Sequence, residues 1–435
     1  MKINTLLDVD VVAIEADDEV TVLLELQAPP SPATSTRPQA SLQIVLDRSG
    51  SMAGAPLEGA KRALIALVRR LEPTDNLGIV TFDDSAQVVV PAGPLQDKER
   101  VIRLIEKVRP GGSTDLSAGY LRGLQEVRRV AGDSGGTVLL ISDGHVNAGV
   151  RSVDQLAGLA GRAHGQGLVT STLGYGTGYD ETLLAEIARA GSGNHVFAID
   201  PDAAGAAIAE EVDGLLSKAV QALSLTVGVE PAVRLVRLYN DLPVAQIDSG
   251  RVMVELGDLY AEESRKVLLR MSVPAAAALG IARIATLELR YVELPGLLEH
   301  VVTIPVHINV VPGDEAAGRV AHPVVRTEAL FQEAQAVKRQ ASDAFERGEL
   351  DSGLALIAET SARLADSLAA APEQLRADIR AEIDEVRRLE EYGRRTGVAG
   401  SAYLSKLSRE SYHRGSRKRG RPARRTNREG TDGES

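Results

Sequence analysis

The sequence predicts an α/β doubly wound, Rossmann-like domain, followed by an antiparallel β-sandwich and a C-terminal helical region. Three observations lead there. From Ser41 to Leu223, short apolar runs alternate with stretches whose apolar residues recur at helical spacing. That alternation belongs to a mostly parallel sheet covered by helices on both faces. From Leu225 to Val311 helical spacing stops and β-type segments follow one another, among them VRLVRLY, RKVLLRMSV and HVVTIPVHINVV. From Pro323 to Arg395 the chain is rich in Ala, Glu, Arg and Leu at helical spacing.

The elements follow in order. Val9 to Leu26 alternates apolar and polar residues and reads as two strands turned around Asp17-Asp18. Ala28 to Ala40, rich in Pro, Ser and Thr, reads as a linker. LQIVL after Ser41 is a buried strand, and Leu57 to Leu71 is a helix. Strands Leu77 to Phe82 and Gln87 to Val90 come next, then helices Lys98 to Val108 and Leu116 to Arg129. Strand Thr137 to Ile141 leads into helix Val153 to His164. Strand Val169 to Leu173, helix Glu181 to Ala190 and strand His195 to Ile199 follow. A helix from Asp202 to Leu223 closes the unit. The domains are thus expected at 1–40 (strands and linker), 41–223 (α/β), 224–312 (sandwich), 322–395 (helices) and 396–435 (tail). The N-terminal strands are expected to join the sandwich, making the α/β unit an insertion in it. The last segment is rich in Ser, Gly and Arg and is expected to be disordered.

A chain of 435 residues is long enough for two to four domains. It contains no cysteine, which excludes disulfides, thiolate metal sites and a cysteine nucleophile. Met1 to Val20 lacks a basic segment followed by an apolar run, so no signal peptide is expected and the location expected is cytoplasmic. The most apolar stretch, Pro274 to Leu289, is broken by Gly280, Arg283 and Glu288 and is not a membrane span. The net charge of −11 is uneven: Arg409 to Ser435 has nine Arg or Lys against four Asp or Glu, a net of +5, which leaves −16 for the rest. The body should repel nucleic acid while the tail attracts it. With aromatics at 3% and no Trp, base-stacking platforms are not expected.

Three loops carry the chemistry. The first α/β strand ends in Asp47-Arg48-Ser49-Gly50-Ser51. Gly111-Gly112-Ser113-Thr114-Asp115 precedes the Leu116 helix, and Ser142-Asp143-Gly144 follows the fourth strand. In open α/β sheets, loops at the carboxyl ends of strands meet at the switch point and build the ligand site. Two carboxylates and three hydroxyls are hard oxygen donors that suit Mg²⁺ or Mn²⁺ better than zinc or copper. Turn formation alone also selects Ser, Asp and Gly, but all three loops occur in order and each follows the right element.

This DxSxS string, the Thr in a Gly-rich loop and the Ser-Asp-Gly turn resemble the metal-ion-dependent adhesion site of von Willebrand factor type A domains. The resemblance spans roughly Ser41 to Ala222, including LGYGTGYDETLLAEIA and GNHVFAID. It implies direct metal contacts from Ser49, Ser51 and Thr114, with Asp47 and Asp143 as carboxylates acting directly or through water, and Asp115 behind them. It also implies a binding module, not an enzyme, in which the ion captures an acidic side chain of a protein partner. In this family the last helix can shift and alter the metal loops. The flanking strands resemble bacterial and inter-α-trypsin-inhibitor-like proteins that pair the domain with a sandwich. Some intracellular relatives serve as adaptors or substrate-recognition subunits for an ATPase, which would make the helical region a second docking surface.

Other strings point to weaker functions. Gly132-Asp133-Ser134-Gly135-Gly136 matches a trypsin-like string, but every histidine lies downstream of it, so it reads as a helix-to-strand loop. Gly174-Tyr175-Gly176-Thr177-Gly178 lacks phosphate-loop spacing and reads as a Gly-rich turn. His145 is expected to be solvated near the metal face, and Asp83-Asp84 to form a solvated turn. Arg419-Gly420-Arg421-Pro422 resembles an AT-hook core. The simpler reading is a basic tail that binds DNA only weakly.

Overall fold

The computed structural model describes residues 1–417 except 31–38, 133–134, 144, 177, 199, 201–202, 206, 210–213, 215–216, 276–277, 295 and 370. Strands β1 (Lys2–Leu7), β2 (Val11–Ala13) and β3 (Asp18–Gln27) open the chain. The α/β unit follows as β4 (Ser41–Asp47), α1 (Ala55–Arg70), β5 (Asn76–Phe82), β6 (Ala86–Pro94), α2 (Lys98–Glu106), α3 (Leu116–Arg128), β7 (Gly136–Ser142), α4 (Val153–His164), β8 (Leu168–Tyr175), α5 (Glu181–Ala190) and β9 (Ser192–Ala198).

Its sheet order is β6-β5-β4-β7-β8-β9, parallel except for β6, which runs antiparallel to β5. β6 can do so because Asp83 to Ser85 turn the chain directly back from β5. The two faces of the sheet bury separate cores. Ile44 and Leu46 meet α1 and α2 on one face, and Val45 and Leu140 meet α3, α4 and α5 on the other. Burial on both faces explains why β4 and β7 are near-continuous apolar runs instead of alternating ones. From β4 the chain winds first toward β6 and then, from β7, toward β9. The switch point therefore lies between the carboxyl ends of β4 and β7.

The sandwich strands are β10 (Lys218–Val229), β11 (Arg234–Leu238), β12 (Val244–Asp248), β13 (Arg251–Tyr260), β14 (Ser264–Val273), β15 (Gly280–Glu293) and β16 (Leu298–Val311). One sheet runs β1-β3-β14-β11 and the other β12-β13-β10-β15-β16-β2. The N-terminal strands thus complete both sheets, and the α/β unit is inserted between β3 and β10. Alternate residues such as Val22, Leu24, Leu225, Val227, Leu287 and Leu289 meet in the core between the sheets. The two strands expected in Val9 to Leu26 are β2 and β3, and β1 (Lys2–Leu7) precedes them in a stretch where none was expected.

Two expectations need correction. The helix expected from Asp202 to Leu223 is helical at the described residues 203–205, 207–209 and 214, but β10 has begun by Lys218. Val220 and Leu223 belong to the sandwich core, and this tertiary burial overrides their helix-compatible spacing. Nor is the segment from 396 disordered throughout. Helices Pro323–Glu346, Leu350–Leu368 and Glu373–Thr396 form a three-helix region, and a further helix, Ser401–Arg417, packs against the first of them and against β9. Its buried residues among those described are Ser401, Leu404, Ser405, Lys406, Ser408, Ser411 and Tyr412. Serine in place of leucine hides that burial from a hydrophobicity reading. The Arg419 to Pro422 match lies outside the described residues, as does Ser134. Among the described residues no helix is long and apolar enough to cross a membrane.

Candidate metal site

β4 and β7 are neighbours in parallel register, with Leu46 beside Ile141. The next residues, Asp47 and Ser142, therefore emerge side by side at the carboxyl edge. Ser142 Oγ donates to Asp47 Oδ2 at 2.6 Å, and the backbone N–H of Ser49 donates to Asp47 Oδ1 at 2.8 Å. The second bond closes an Asx-type turn that directs the Ser49-Gly50-Ser51 backbone across the sheet edge. Ser49 Oγ and Ser51 Oγ lie 3.1 Å apart, and Ser51 Oγ donates to Asp143 Oδ1 at 2.8 Å. A continuous hydrogen-bonded run thus leads from Ser142 through Asp47, the Ser49 backbone N–H and hydroxyl, and Ser51 to Asp143. Asp47 is 0% exposed and Asp143 9%, while Ser51 faces solvent.

The Gly-rich loop closes against the first loop through its backbone. Gly50 N donates to Gly112 O at 2.9 Å, and Gly111 N to Arg48 O at 2.6 Å. Thr114, 3% exposed, is held by Asn147, whose Oδ1 accepts from Thr114 N at 2.7 Å while its own N–H returns to Thr114 O at 3.2 Å. Four of the five expected residues are thus joined by hydrogen bonds, and Thr114 is buried in the adjoining loop. Asp115 instead caps α3, accepting from Ala118 N at 2.9 Å and from Ser117 Oγ at 2.5 Å. His145 is exposed.

Sequence reasoning missed three supports: Ser142, Asn147 and the Arg48–Asp83 pair. Asp83 is not a solvated turn residue. It is 4% exposed and 2.9 Å from the Arg48 guanidinium, its Oδ1 accepts from Ser85 N, and its carbonyl accepts from Asp115 N. Burial pushes its carboxyl up. Hydrogen bonds from Ser85, Asp84 and Gly112 and the Arg48 charge outweigh burial and leave it below the usual range. The signal was the paired glycine at 111: a Cβ there would lie 1.9 Å from Asp83 Oδ2, so only glycine admits this carboxylate. Gly111→Ala should therefore destabilise the protein by about 1–3 kcal/mol, whereas Asp84→Ala, at an exposed position, should stay within about 0.5 kcal/mol. Urea unfolding of the two variants checks this, and equal stabilities would refute the close approach.

The electrostatics fit a divalent ion. Burial pushes the Asp47 carboxyl up against the opposing hydrogen bonds from Ser142 and Ser49, with the Asp83 charge adding to the rise. Burial likewise pushes Asp143 up to about 6, against its hydrogen bond from Ser51, and Asp47 adds charge repulsion. Two adjacent buried carboxyls short of positive charge, flanked by neutral hydroxyls, are a donor set for Mg²⁺ or Mn²⁺. Among the described residues no three of His, Cys, Asp or Glu gather as they would in a site built from those side chains alone. In this arrangement hydroxyls would stand where such a site has its third and later charged ligands, so a bound ion would keep much of its charge.

Comparisons with known proteins agree with this fold. Residues 42–209 match the model of the von Willebrand factor type A domain. An uncharacterized protein of Synechocystis sp., sll0103, is 28% identical over 242 residues, covering 53% of this chain and 56% of that protein. Human inter-alpha-trypsin inhibitor heavy chain H3 is 26% identical over 168 residues, 36% of this chain and 18% of its own length. The chain thus spans about half of the first relative, and less of the second. A solved structure described as von Willebrand factor type A from Catenulispora acidiphila aligns with a TM-score of 0.72 at 15% identity, covering 96% of each chain. At that identity it attests the fold, including the sandwich and the C-terminal helices.

Proposed function

Because residues 42–209 match the model of the von Willebrand factor type A domain, a kind of module that commonly mediates protein interaction, we propose that this protein is a divalent-metal-dependent protein-binding module. In this reading Asp47, Ser49, Ser51, Thr114 and Asp143 hold Mg²⁺ or Mn²⁺, and a partner's Asp or Glu side chain completes the coordination.

The observation that carries the reading is the hydrogen-bonded run Ser142–Asp47–Ser49–Ser51–Asp143 at the switch point, with each link between 2.6 and 3.1 Å, which gathers two carboxylates and two further hydroxyls beside Ser142. Ser51, the exposed member of this run, marks where a partner would approach. When bound, the ion would supply a fixed positive charge that attracts a carboxylate. The chain's own residues hold that charge in place. Ser142 orients Asp47, Asn147 holds the Thr114 backbone, and Arg48 with Asp83 keeps the two loops together.

Titration of Mn²⁺ followed by water-proton relaxation tests the reading. One ion should bind per chain with coordinated water remaining, and an Asp-containing peptide should displace that water. Thr114→Ala should weaken Mn²⁺ binding about tenfold or more, the loss of about 1.4 kcal/mol expected for one charge-bearing contact. A variant with wild-type Mn²⁺ affinity would remove Thr114 from the ligand set, and a wild type that binds no Mn²⁺ would end the proposal.

A further inference from the structure

The Ser401–Arg417 helix docks on the α/β unit chiefly through charge. Lys406 Nζ donates to the Tyr179 carbonyl at 2.9 Å, lies 3.2 Å from Glu181 Oε2 and sits 3.9 Å from the centroid of the Tyr179 ring. Ser405 Oγ donates to Glu181 Oε1 at 2.5 Å. Arg409 Nε is 3.4 Å from the same oxygen, and its Nη1 reaches Thr182 Oγ1 at 3.1 Å. The Glu181 and Lys406 side chains are each only 6% exposed. Arg409 Nη2 also pairs with Asp343 at 2.7 Å and Glu346 at 3.3 Å, so one helix ties the three-helix region to the α/β unit. The apolar share is small, an edge contact of Tyr403 on Phe197 at 5.8 Å and a partly buried Leu407.

Such an interface is specific without being strongly adhesive. Desolvating both partners offsets much of the attraction between buried charges, and polar contacts of this kind permit motion between units. Its socket also adjoins the segment that approaches the Asp143 backbone. Glu181 stands in the first turn of α5, which Asp180 caps by accepting from Leu183 N at 3.0 Å. Tyr179, which supplies the carbonyl to Lys406, is 1% exposed and therefore locked. Its neighbour Gly178 lies so close to the Asp143 carbonyl that a Cβ would come to 3.3 Å. A continuous run of contacts leads from Lys406 through Tyr179 and Gly178 to the backbone of Asp143.

We propose that the Ser401–Arg417 helix is a latch on Glu181, and that its docking and metal binding at the Asp143 loop favour each other. The inference rests on the metal reading above. The docked helix fixes Tyr179 and hence Gly178 against Asp143, which organises that carboxylate before the ion arrives. By linkage the ion must tighten the latch by the same factor that the latch tightens the ion. A partner bound at the metal face would thereby alter how firmly the three-helix region is held to the α/β unit.

The test uses the full chain, with Mn²⁺ titrated by calorimetry and hydrogen exchange followed across 401–412 with and without Mg²⁺. Glu181→Gln, and separately Lys406→Met with Arg409→Leu, should speed exchange in that helix and weaken Mn²⁺ binding about fivefold. In the wild type Mg²⁺ should slow exchange at 401–412 about fivefold and leave 373–396 unchanged. A variant whose helix exchanges faster but which binds Mn²⁺ as the wild type does would overturn the latch. If a variant fails to fold, wild-type exchange at 401–412 that is indifferent to Mg²⁺ overturns it equally. A wild type that binds no Mn²⁺ instead overturns the metal reading and the latch with it.

Discussion

At about 100 times its dissociation constant, Mg²⁺ should raise the free energy of unfolding by about 2.7 kcal/mol, and Asp47→Asn should abolish that gain. Any ligand that binds only the folded chain stabilises it by mass action, and the site joins loops that come together only after folding. Asp47 is the centre of that junction. It is fully buried, accepts from Ser142 of the neighbouring strand and from its own loop at Ser49, and carries a carboxyl that burial has pushed up. Asparagine keeps the size and one acceptor oxygen but supplies no negative charge for the ion. The measurement is thermal or urea unfolding of wild type and variant with Mg²⁺ and with EDTA. Equal stabilisation of both proteins would place the ion elsewhere.

A chain ended after Gly400 should lose about 3 kcal/mol or more of stability relative to one ended after Arg417. Removal of the last helix takes away Leu404, which is fully buried with Ala341, Phe345, Ile357, Val386 and Leu389. Deleting one such leucine costs about 2–5 kcal/mol on its own. The loss also strips Lys338, 1% exposed, of its hydrogen bond to Ser411 at 2.6 Å, although its ion pair with Glu382 remains. Ser342, which donates to Ser405 O at 2.9 Å, loses its partner as well. Urea unfolding of the two truncations decides the matter. Coincident transitions would show that the helix is dispensable, as composition alone suggests.

Much of the candidate site was legible because its donors sit in short contiguous strings. Asp47, Ser49 and Ser51 occupy five residues, and each string follows a recognisable strand or precedes a recognisable helix. The supporting residues were not legible. Asp83 lies in a different loop from Arg48, and its ion pair depends on β4 and β5 ending side by side. Asn147 reaches the Thr114 backbone across a gap of 33 residues. Neither pairing leaves a local pattern, although the glycine at 111 hinted that something must approach it closely.

From periodicity alone came the doubly wound order of the α/β unit, the β-rich segment after it and the helical character of Pro323 to Arg395. Each of these follows from which face of a local element is apolar. Tertiary structure alone decided that the strand β10 begins by Lys218, because the sandwich core claims Val220 and Leu223. It also decided that the Arg-rich segment after 400 forms a helix. That helix is held by Glu181 and by the serine stripe against Lys338 and Ser342, partners more than 60 residues away. Local sequence records apolar burial through its spacing. A polar contact between distant residues leaves no period, so only the folded chain reveals it.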